Sequence, residues 1–316
     1  MVSQVGRAGQ VGRVGRVKWV GLARRRSRRL NAKRRRVGLL WIVAIAGALL
    51  AVPPRVHADV DKYEVYAVRF ATIANFPVSS LVAGADPGRR IDIAMMIWVL
   101  KGIDGRVVIV DSGFHRDRYF RQFAVKDYLK PSEVIAPLGL KPEDVTDILL
   151  THMHWDHAGG VDLFPAARVW VQKDEYDYYT GEAWQSRGTH GGIDPDDVLE
   201  IVKRNTQERV SFVRGDDETS LSGLTFGVGG RHTWASQFVT VQTAKAVVVI
   251  ASDNMYLYEN LAKHVPIAQT LDKESNLRAQ ERMVTLASDP RLIVPGHDPE
   301  VFVRFPTPGN GVARIR

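Results

Sequence analysis

The sequence predicts an α/β fold in which two β-sheets pack face to face and helices cover their outer sides. Clusters of short strand-like segments alternate with helix-like segments throughout residues 59–316, as in layered folds. A dense run of histidine and aspartate residues follows one of the predicted strands, where ligands could gather at a sheet edge. Since no internal repeat and no Pro- or Ser-rich linker interrupts 59–316, we predict a single domain there.

The individual elements follow from apolar periodicity and from glycine turns, such as Gly102 and Gly105 between two strands. The predicted strands are Tyr63–Ala71, Ile93–Leu100, Arg106–Val110, Val145–Leu150, Arg209–Val213, Leu224–Val228, Gln237–Thr243, Ala246–Ala251 and Arg291–Val294. The predicted helices are Asp174–Tyr179, Asp196–Lys203, Met255–Lys263 and Lys273–Ser288.

Residues 1–58 are typical of a basic leader with a secretory signal. Arg34-Arg35-Arg36 precedes the apolar run Val37–Val52, and Val56-His57-Ala58 provides a small-residue cleavage site, which predicts cleavage after Ala58. The 16-residue run is shorter than the roughly 20 residues of a membrane span, but an uncleaved anchor stays open. The long basic region indicates either a downstream start or folded export through Arg28-Arg29. We therefore expect an exported protein, periplasmic or secreted.

The positive charge of the chain is confined to this leader. Residues 1–58 hold 14 of the 43 Lys and Arg residues and none of the 35 acidic ones, so the remainder has a net charge of about −6. A nucleic-acid-binding surface needs a basic patch on the folded domain, so this partner class is not expected. The chain has no cysteine, which excludes disulfides and thiolate ligands to zinc.

Three of the nine histidines stand in one short run, His152-Met153-His154-Trp155-Asp156-His157. The run directly follows the apolar stretch Val145–Leu150, so its side chains emerge at the end of a buried strand. Imidazole nitrogen and carboxylate oxygen are ligands that suit zinc and related first-row metals. A loop that is histidine-rich by chance is the alternative, but the spacing favours a metal site.

Four further polar residues follow apolar stretches or glycine turns elsewhere in the chain. They are Asp111, His232, Asp253 and His297. Taken singly, His232 or His297 would be an ordinary loop histidine and Asp253 a helix cap. Together with the 152–157 run, they are expected to converge on one sheet edge.

With these residues the sequence resembles the metallo-β-lactamase superfamily over essentially all of 59–316. The resemblance implies an αββα sandwich with a dinuclear centre of two Zn²⁺, other divalent first-row metals being possible. It implies that His152, His154 and His232 bind one ion and that Asp253 bridges the two. The second ion would be bound by Asp156, His157 and His297, with Asp111 orienting a ligand from behind.

Within the superfamily the sequence looks most like the N-acyl homoserine lactonases. Members of that family carry a tyrosine three residues after the bridging aspartate, and Tyr256 occupies this position after Asp253 here. Residues 295–300 also resemble the C-terminal segment of that family. The resemblance implies that a metal-bridging hydroxide opens the lactone ring of N-acyl homoserine lactones, which is quorum quenching. Tyr256 would donate a hydrogen bond to the carbonyl oxygen and Asp156 would shuttle a proton. Arg231 and Trp234, which flank His232, depart from the family pattern.

Several alternatives remain beside this interpretation. An exported arylesterase or organophosphate hydrolase on the same fold fits the metal ligands equally well. A β-lactamase fits less well because Asp253 stands where many of those use cysteine, and only 19 residues follow His297, too few for a glutathione-binding thioesterase extension. Nucleases of the superfamily usually carry additional domains or a basic surface, and the net charge of residues 59–316 disfavours them. A metal-binding protein without catalysis would be expected to lack a ligand.

Two aromatic segments and three further histidines are not assigned to the site. The segments Phe70–Leu81 and Tyr176–Trp184 could contact an acyl chain, but aromatic residues in such spacing are more often core, so they are left out of the site. Solvent exposure is expected for His115, His190 and His264. The expected partner is a small-molecule lactone or ester, and the acyl-chain preference and oligomeric state stay open.

Overall fold

The computed structural model describes residues 62–216, 218–309 and 311–316. The strands are β1 Tyr63–Pro77, β2 Arg90–Gly102, β3 Val107–Val110, β4 Val125–Lys126, β5 Asp147–Leu149, β6 Arg168–Gln172, β7 Val210–Val213, β8 Glu218–Leu221, β9 Leu224–Val228, β10 Gln237–Gln242, β11 Val247–Ser252, β12 Ile293–Pro295 and β13 Val312–Arg314. The α-helices are α1 Asp117–Gln122, α2 Trp155–Ala158, α3 Lys173–Tyr179, α4 Pro195–Thr206, α5 Tyr258–Lys263, α6 Lys273–Leu286 and α7 Val301–Arg304. Short 3₁₀ turns cover Val78–Ser80, Ala136–Leu138, Pro142–Asp144, Val161–Leu163, Glu182–Trp184 and Pro290–Leu292.

The strands form two sheets. The larger has the order β13-β1-β2-β3-β5-β6-β7, with β4 paired to β1, and the smaller has the order β12-β11-β10-β9-β8. In the larger sheet β3, β5, β6 and β7 are parallel, and in the smaller one β11 and β12 are parallel. Parallel neighbours end at the same sheet edge, so the loops after these strands can meet there.

Strand alternation divides the apolar side chains between two cores. Along β2, Ile97 and Val99 belong to the core beneath the helices of the larger sheet, whereas Trp98 and Leu100 belong to the core that also contains Phe226 of the smaller sheet. Because successive side chains of a strand point to opposite faces, one strand serves both cores. The result is the αββα arrangement that the sequence predicts.

The predicted elements are present, some with shifted ends, but the sequence prediction omits several others. The omitted elements are strands β4, β6, β8 and β13 and helices α1, α2 and α7. Strand β6 is omitted although its central Val-Trp-Val is apolar and rich in β-branched residues. The helix predicted from Met255 begins only at Tyr258, because the backbone N–H groups of Gly296 and His297 bind the carbonyls of residues 255 and 256. The strand predicted over Arg291–Val294 begins at Ile293, since Pro290 starts a 3₁₀ turn.

The predicted leader, residues 1–58, and the cleavage position after Ala58 lie outside the described residues. Among the residues that the structure describes, no helix is both long enough and apolar enough to cross a bilayer.

The core between the sheets supplies a stability prediction. Phe226 is fully buried there, so Phe226→Ala is expected to lower the free energy of unfolding by about 3–5 kcal/mol. Urea denaturation followed by circular dichroism measures this change. Ile103→Ala is the control: this side chain is 67% exposed in the turn between β2 and β3, and its loss is expected to change stability by about 0.5 kcal/mol or less. Equal destabilisation by both variants would contradict the two-core description.

Candidate metal centre

Seven side chains predicted from the sequence as metal ligands meet at the edge where the two sheets' parallel strands end. They form two groups, whose possible ligand atoms each lie within 4.8 Å of one another. The first group is His152, His154, His232 and Asp253, and the second is Asp156, His157 and His297. The loops after β5, β9, β11 and β12 deliver them.

The first group has the spacing of ligands around one ion. His154 Nδ1 lies 3.1 Å from His152 Nε2 and 2.9 Å from His232 Nε2. A tetrahedral site with Zn–N bonds of about 2.0–2.1 Å separates neighbouring ligand atoms by about 3.3 Å. Three imidazoles converging at this spacing therefore form one face of a tetrahedral site.

Asp253 lies between the two groups. Its Oδ2 is 3.3 Å from His232 Nε2 and 3.3 Å from His157 Nε2, while its Oδ1 is 3.1 Å from His297 Nε2. Oδ2 thus faces ligands of both groups, and Oδ1 faces the second group. This is the geometry that a bridging ligand requires.

Asp156 completes the second group. Its Oδ2 lies 3.5 Å from His157 Nε2 and 3.6 Å from His297 Nε2, too far for hydrogen bonds but close enough to share an ion. His157 Nε2 and Asp253 Oδ1 are buried and have no hydrogen-bond partner of acceptable geometry among the described residues. Buried polar atoms are almost always paired, so these orphaned atoms point to an ion as the missing partner.

The far nitrogens of several ligand imidazoles are bound to acceptors. His232 Nδ1 donates to the Gln269 carbonyl at 2.7 Å, and His297 Nδ1 donates to the Ala94 carbonyl at 3.1 Å. With the proton held on Nδ1, the Nε2 atom of a neutral ring carries a lone pair that points at the cluster. Converging lone pairs repel unless a cation lies between them, so the donor set fits zinc.

Asp111 lies behind His157 rather than within the cluster. Its Oδ2 is 2.8 Å from His157 Nδ1, and the carboxylate also accepts hydrogen bonds from Thr151 N–H, Thr151 Oγ1 and Ser252 Oγ. Asp111 and Ser252 both adopt positive φ, 60° and 47°, which a non-glycine residue does only under tertiary constraint. The network fixes the orientation of the His157 ring.

Close backbone approaches make room for the ligands. A Cβ at Gly296 would lie 2.3 Å from Asp253 Oδ1, and a Cβ at Gly160 would lie 2.0 Å from the Ser112 carbonyl. Only glycine fits at either place. Gly296 lets the loop after β12 pack against the loop that carries Asp253, and Gly160 lets the loop after α2 pack against the loop that carries Asp111.

The pKa values of two cluster histidines favour the neutral form that binds metal, whereas that of His157 favours the protonated form. Burial, together with neighbouring histidines, holds the pKa values of His152 and His154 well below their ordinary value, so both rings are neutral. Burial opposes charge on His157, yet the nearby carboxylates of Asp253, Asp156 and Asp111 raise its pKa well above the ordinary value. A metal ion must displace that proton, so metal binding releases protons.

A cavity of about 680 Å³, open solvent at its mouth included, leads to the cluster. Polar groups of the cluster form its floor, including Asp156, Asp253 and His297, and Tyr256 lies beside them. The Tyr256 hydroxyl is buried and lies 3.4 Å from His232 Nδ1, whose proton already faces Gln269. Tyr256 thus stands at the cluster, as the sequence predicts.

The apolar wall of this cavity includes part of one segment that the sequence leaves out of the site. Of the segment Phe70–Leu81, the residues Ile73, Phe76 and Leu81 line the cavity together with Phe123 and Trp155. Phe70 of the same segment is buried in the core, as expected. Of the two interpretations of this segment, core and acyl-chain contact, the structure thus places core residues and cavity-lining residues side by side.

Other residues outside the cluster behave mostly as expected. His190 and His264 are exposed, whereas His115 is only partly exposed and pairs with Asp162 at 2.9 Å. In the segment Tyr176–Trp184, Tyr178 and Tyr179 are buried in the core beneath the helices. Tyr179 also lines a second cavity, of about 760 Å³ with open solvent included, on the other side of the ligand histidines.

Residues 94–297 match the metallo-beta-lactamase superfamily. The chain belongs to this superfamily. It is a hydrolase of that family, with the two-sheet fold and the ligand arrangement described above.

An N-acyl homoserine lactonase from Bacillus cereus is 25% identical over 236 residues, which cover 70% of this chain and 88% of that protein. A crystal structure of a quorum-quenching N-acyl homoserine lactone lactonase superposes with a TM-score of 0.62 at 21% identity, covering 76% of this chain and 94% of that one. AidC, a dizinc quorum-quenching lactonase in complex with a product, gives a TM-score of 0.59 at 16% identity, covering 81% and 94% of the two chains. The two structures establish the likeness in fold.

The bridging geometry of Asp253 supplies a metal-content prediction. Asp253→Ala is expected to lose most zinc from both groups, because each loses a ligand, whereas His297→Ala is expected to lose mainly one ion per chain. Inductively coupled plasma mass spectrometry of protein purified after zinc loading measures the ratio. His264→Ala, which alters an exposed histidine away from the cluster, is the control. Two ions per chain in Asp253→Ala would exclude the bridging role.

Proposed function

We propose that this protein opens the lactone ring of N-acyl homoserine lactones with two zinc ions at the cluster. The observation that carries the proposal is the cavity that joins the metal-ligand cluster to an apolar wall. Such a cavity suits a polar ring attached to an alkyl chain. Similarity to enzymes named N-acyl homoserine lactonase supports the same substrate class.

The two ligand groups fit zinc, and two zinc ions bound there would activate water and polarise a carbonyl group. The chain's own residues then orient the substrate and move its protons. A lactone ring placed on the cavity floor is expected to lie between the carboxylates of Asp156 and Asp253 and the hydroxyl of Tyr256.

Tyr256 is proposed to stabilise the charge that develops on the carbonyl oxygen. Burial, with further contributions from Asp253 and Asp156, raises the pKa of the Tyr256 phenol well above its usual value, so the phenol keeps its proton. Its proton has no stronger acceptor among the described residues, because His232 Nδ1 already donates to Gln269. A neutral phenol aimed at the developing charge acts as an oxyanion donor.

Asp156 is proposed to transfer the proton that the leaving alkoxide needs. Its carboxylate is 12% exposed and lines the cavity floor, so it can contact both the second ligand group and a bound substrate. Ring opening breaks the C–O bond of the lactone and leaves an alkoxide, which becomes the hydroxyl of an N-acyl homoserine. The Asp156 carboxylate can accept the proton that the attacking oxygen loses as it becomes part of the product carboxylate, and can then deliver it to this alkoxide.

The apolar wall is proposed to bind the acyl chain. Ile73, Phe76, Leu81 and Phe123 line the same cavity as the carboxylates of Asp156 and Asp253. Burying one methylene is worth about 0.8 kcal/mol, which corresponds to roughly a fourfold change in KM or kcat/KM per added methylene while the wall lasts. The preferred acyl length therefore reports how far the wall extends.

The substrate proposal is tested on purified zinc-loaded residues 59–316, with lactones of increasing acyl length followed by proton release. Aryl acetates and paraoxon-type triesters are assayed alongside. Fast lactone opening with weak ester turnover is the expected result. If lactones are not hydrolysed but triesters or aryl esters are cleaved rapidly, the metal centre is retained. The function is then that of an exported arylesterase or organophosphate hydrolase.

The role of Tyr256 gives a separate prediction. Tyr256→Phe is expected to lower kcat on the order of tenfold while zinc content stays unchanged, since the hydroxyl contacts the substrate but is not a metal ligand. Steady-state kinetics and metal analysis of the same sample measure both quantities. Tyr258→Phe is the matched control, because that hydroxyl is buried in the core between the sheets and has no hydrogen-bond partner in the described part of the chain. Unchanged kinetics in Tyr256→Phe would remove this residue from the mechanism.

We also propose that the leader exports the protein. The basic region, the apolar run and the small residues before position 59 support this location. Expression of the full chain in a bacterial host, followed by fractionation and mass analysis of its N-terminus, tests it. A mature chain beginning near Asp59 outside the cytoplasm is expected, and an intact leader on cytoplasmic protein would refute it.

A further inference from the structure

Glu175 on helix α3 is a fully buried carboxylate, and no lysine or arginine among the described residues pairs with it. Removing a carboxylate from water is costly unless it is paired or well hydrogen-bonded. Glu175 therefore needs a compensating set of donors. It belongs to neither metal-ligand group.

Three donors surround this carboxylate, and they come from two different ligand-bearing loops. Glu175 Oε1 accepts from the Met153 N–H at 3.1 Å and from Thr233 Oγ1 at 2.7 Å, and Oε2 accepts from the Ala235 N–H at 2.6 Å. Met153 stands between the ligands His152 and His154. Thr233 directly follows the ligand His232, so one side chain ties the two loops together.

Helix α3 supports the second of these loops through further contacts. The Trp234 N–H lies 3.4 Å from the Tyr179 hydroxyl, and the Trp234 ring stacks on Tyr178 at 3.9 Å with an interplanar angle of 6°. Arg231 covers Trp234 at 4.9 Å from the ring centroid and itself adopts φ of 53°. The loop that presents His232 is thus packed against one helix.

We propose that Glu175 is a positioning residue that sets the distance between the His152–His154 loop and the His232 loop. The loops leave different sheets, since the first follows β5 of the larger sheet and the second follows β9 of the smaller one. The first ligand group needs nitrogens from both loops about 3 Å apart. A shared buried acceptor holds them at that spacing.

The hydrogen bonds of Glu175 are made next to ligands of the first group, at Met153 between His152 and His154 and at Thr233 after His232. In the second group, His157 is oriented by Asp111 and His297 by the Ala94 carbonyl, and neither contact involves helix α3. Removing the Glu175 bonds should therefore weaken metal binding at the first group and leave the second group nearly unchanged. This inference rests on the metal centre of the proposed function but not on the identity of the substrate.

Glu175→Gln is the informative substitution because it keeps the size of the side chain. All three partners are donors, and both carboxylate oxygens accept, so the amide NH₂ of glutamine must face an N–H or O–H donor on one side. One backbone N–H, that of Met153 or that of Ala235, then loses its acceptor. Loss of a residue that orients metal ligands typically weakens metal binding by about 10–100-fold.

Zinc binding to the full-length apoprotein is titrated in competition with a chromogenic chelator, and cobalt(II) spectra are recorded in parallel. Glu175→Gln is expected to weaken one of the two binding steps by about 10–100-fold, with the other step within about twofold of wild type. The cobalt absorption of the weakened site is expected to change in position or intensity. Two unchanged steps would overturn the proposal, and so would equal weakening of both steps.

Two variants keep the test decisive if Glu175→Gln folds poorly. Thr233→Val removes only the hydroxyl donor and is expected to weaken the same step by a few fold. Asp174→Asn changes an exposed carboxylate on the same helix and is expected to bind zinc as wild type does. Lactone inactivity with normal zinc binding would refute the substrate proposal alone, whereas a selective zinc defect in Glu175→Gln supports the positioning role whatever the substrate.

Discussion

The position of Asp253 between the two ligand groups is the constraint on which the rest of the site depends. Its two oxygens face His232 and His297, ligands that arise from different loops, so both loops must come within about 3.3 Å of one carboxylate. Such proximity leaves no room for a side chain at residue 296, which is glycine. It also forces buried polar atoms together that only a cation can satisfy.

The two-sheet sandwich meets this constraint because strands of both sheets end at the same edge. Parallel strands β3 and β5 end there in the larger sheet, and β11 and β12 end there in the smaller one. Hydrogen bonds from outside the cluster then hold each loop. Asp111 orients His157, and main-chain carbonyls orient His232 and His297. Glu175 joins the His152–His154 loop to the His232 loop. The ligands are therefore held before any ion arrives, which lowers the reorganisation that binding requires.

The cavity has a polar part and an apolar part. Its floor contains the cluster residues Asp156, Asp253 and His297, while its apolar lining comes from β1, β2, the start of α2, Phe123 after α1 and Leu81 after the first 3₁₀ turn. Under the proposed function, the floor would hold the reacting lactone ring and the apolar lining would select the acyl chain. Changes in the lining would then alter the substrate without removing a residue of the cluster.

The sequence alone predicted which side chains gather at the sheet edge, because a His-x-His-x-Asp-His run directly after a buried strand crowds together side chains whose shared chemistry is metal binding. It also determined the layered fold through strand and helix periodicity. The tertiary structure decided what periodicity cannot encode. Glu175, which has the sequence signature of an ordinary exposed helix residue, is buried because partners 58 and 60 residues away, Thr233 and Ala235, supply its donors. The helix after Asp253 starts late because the loop after β12 bonds the carbonyls of residues 255 and 256. The structure also decides that Phe76 lines the cavity.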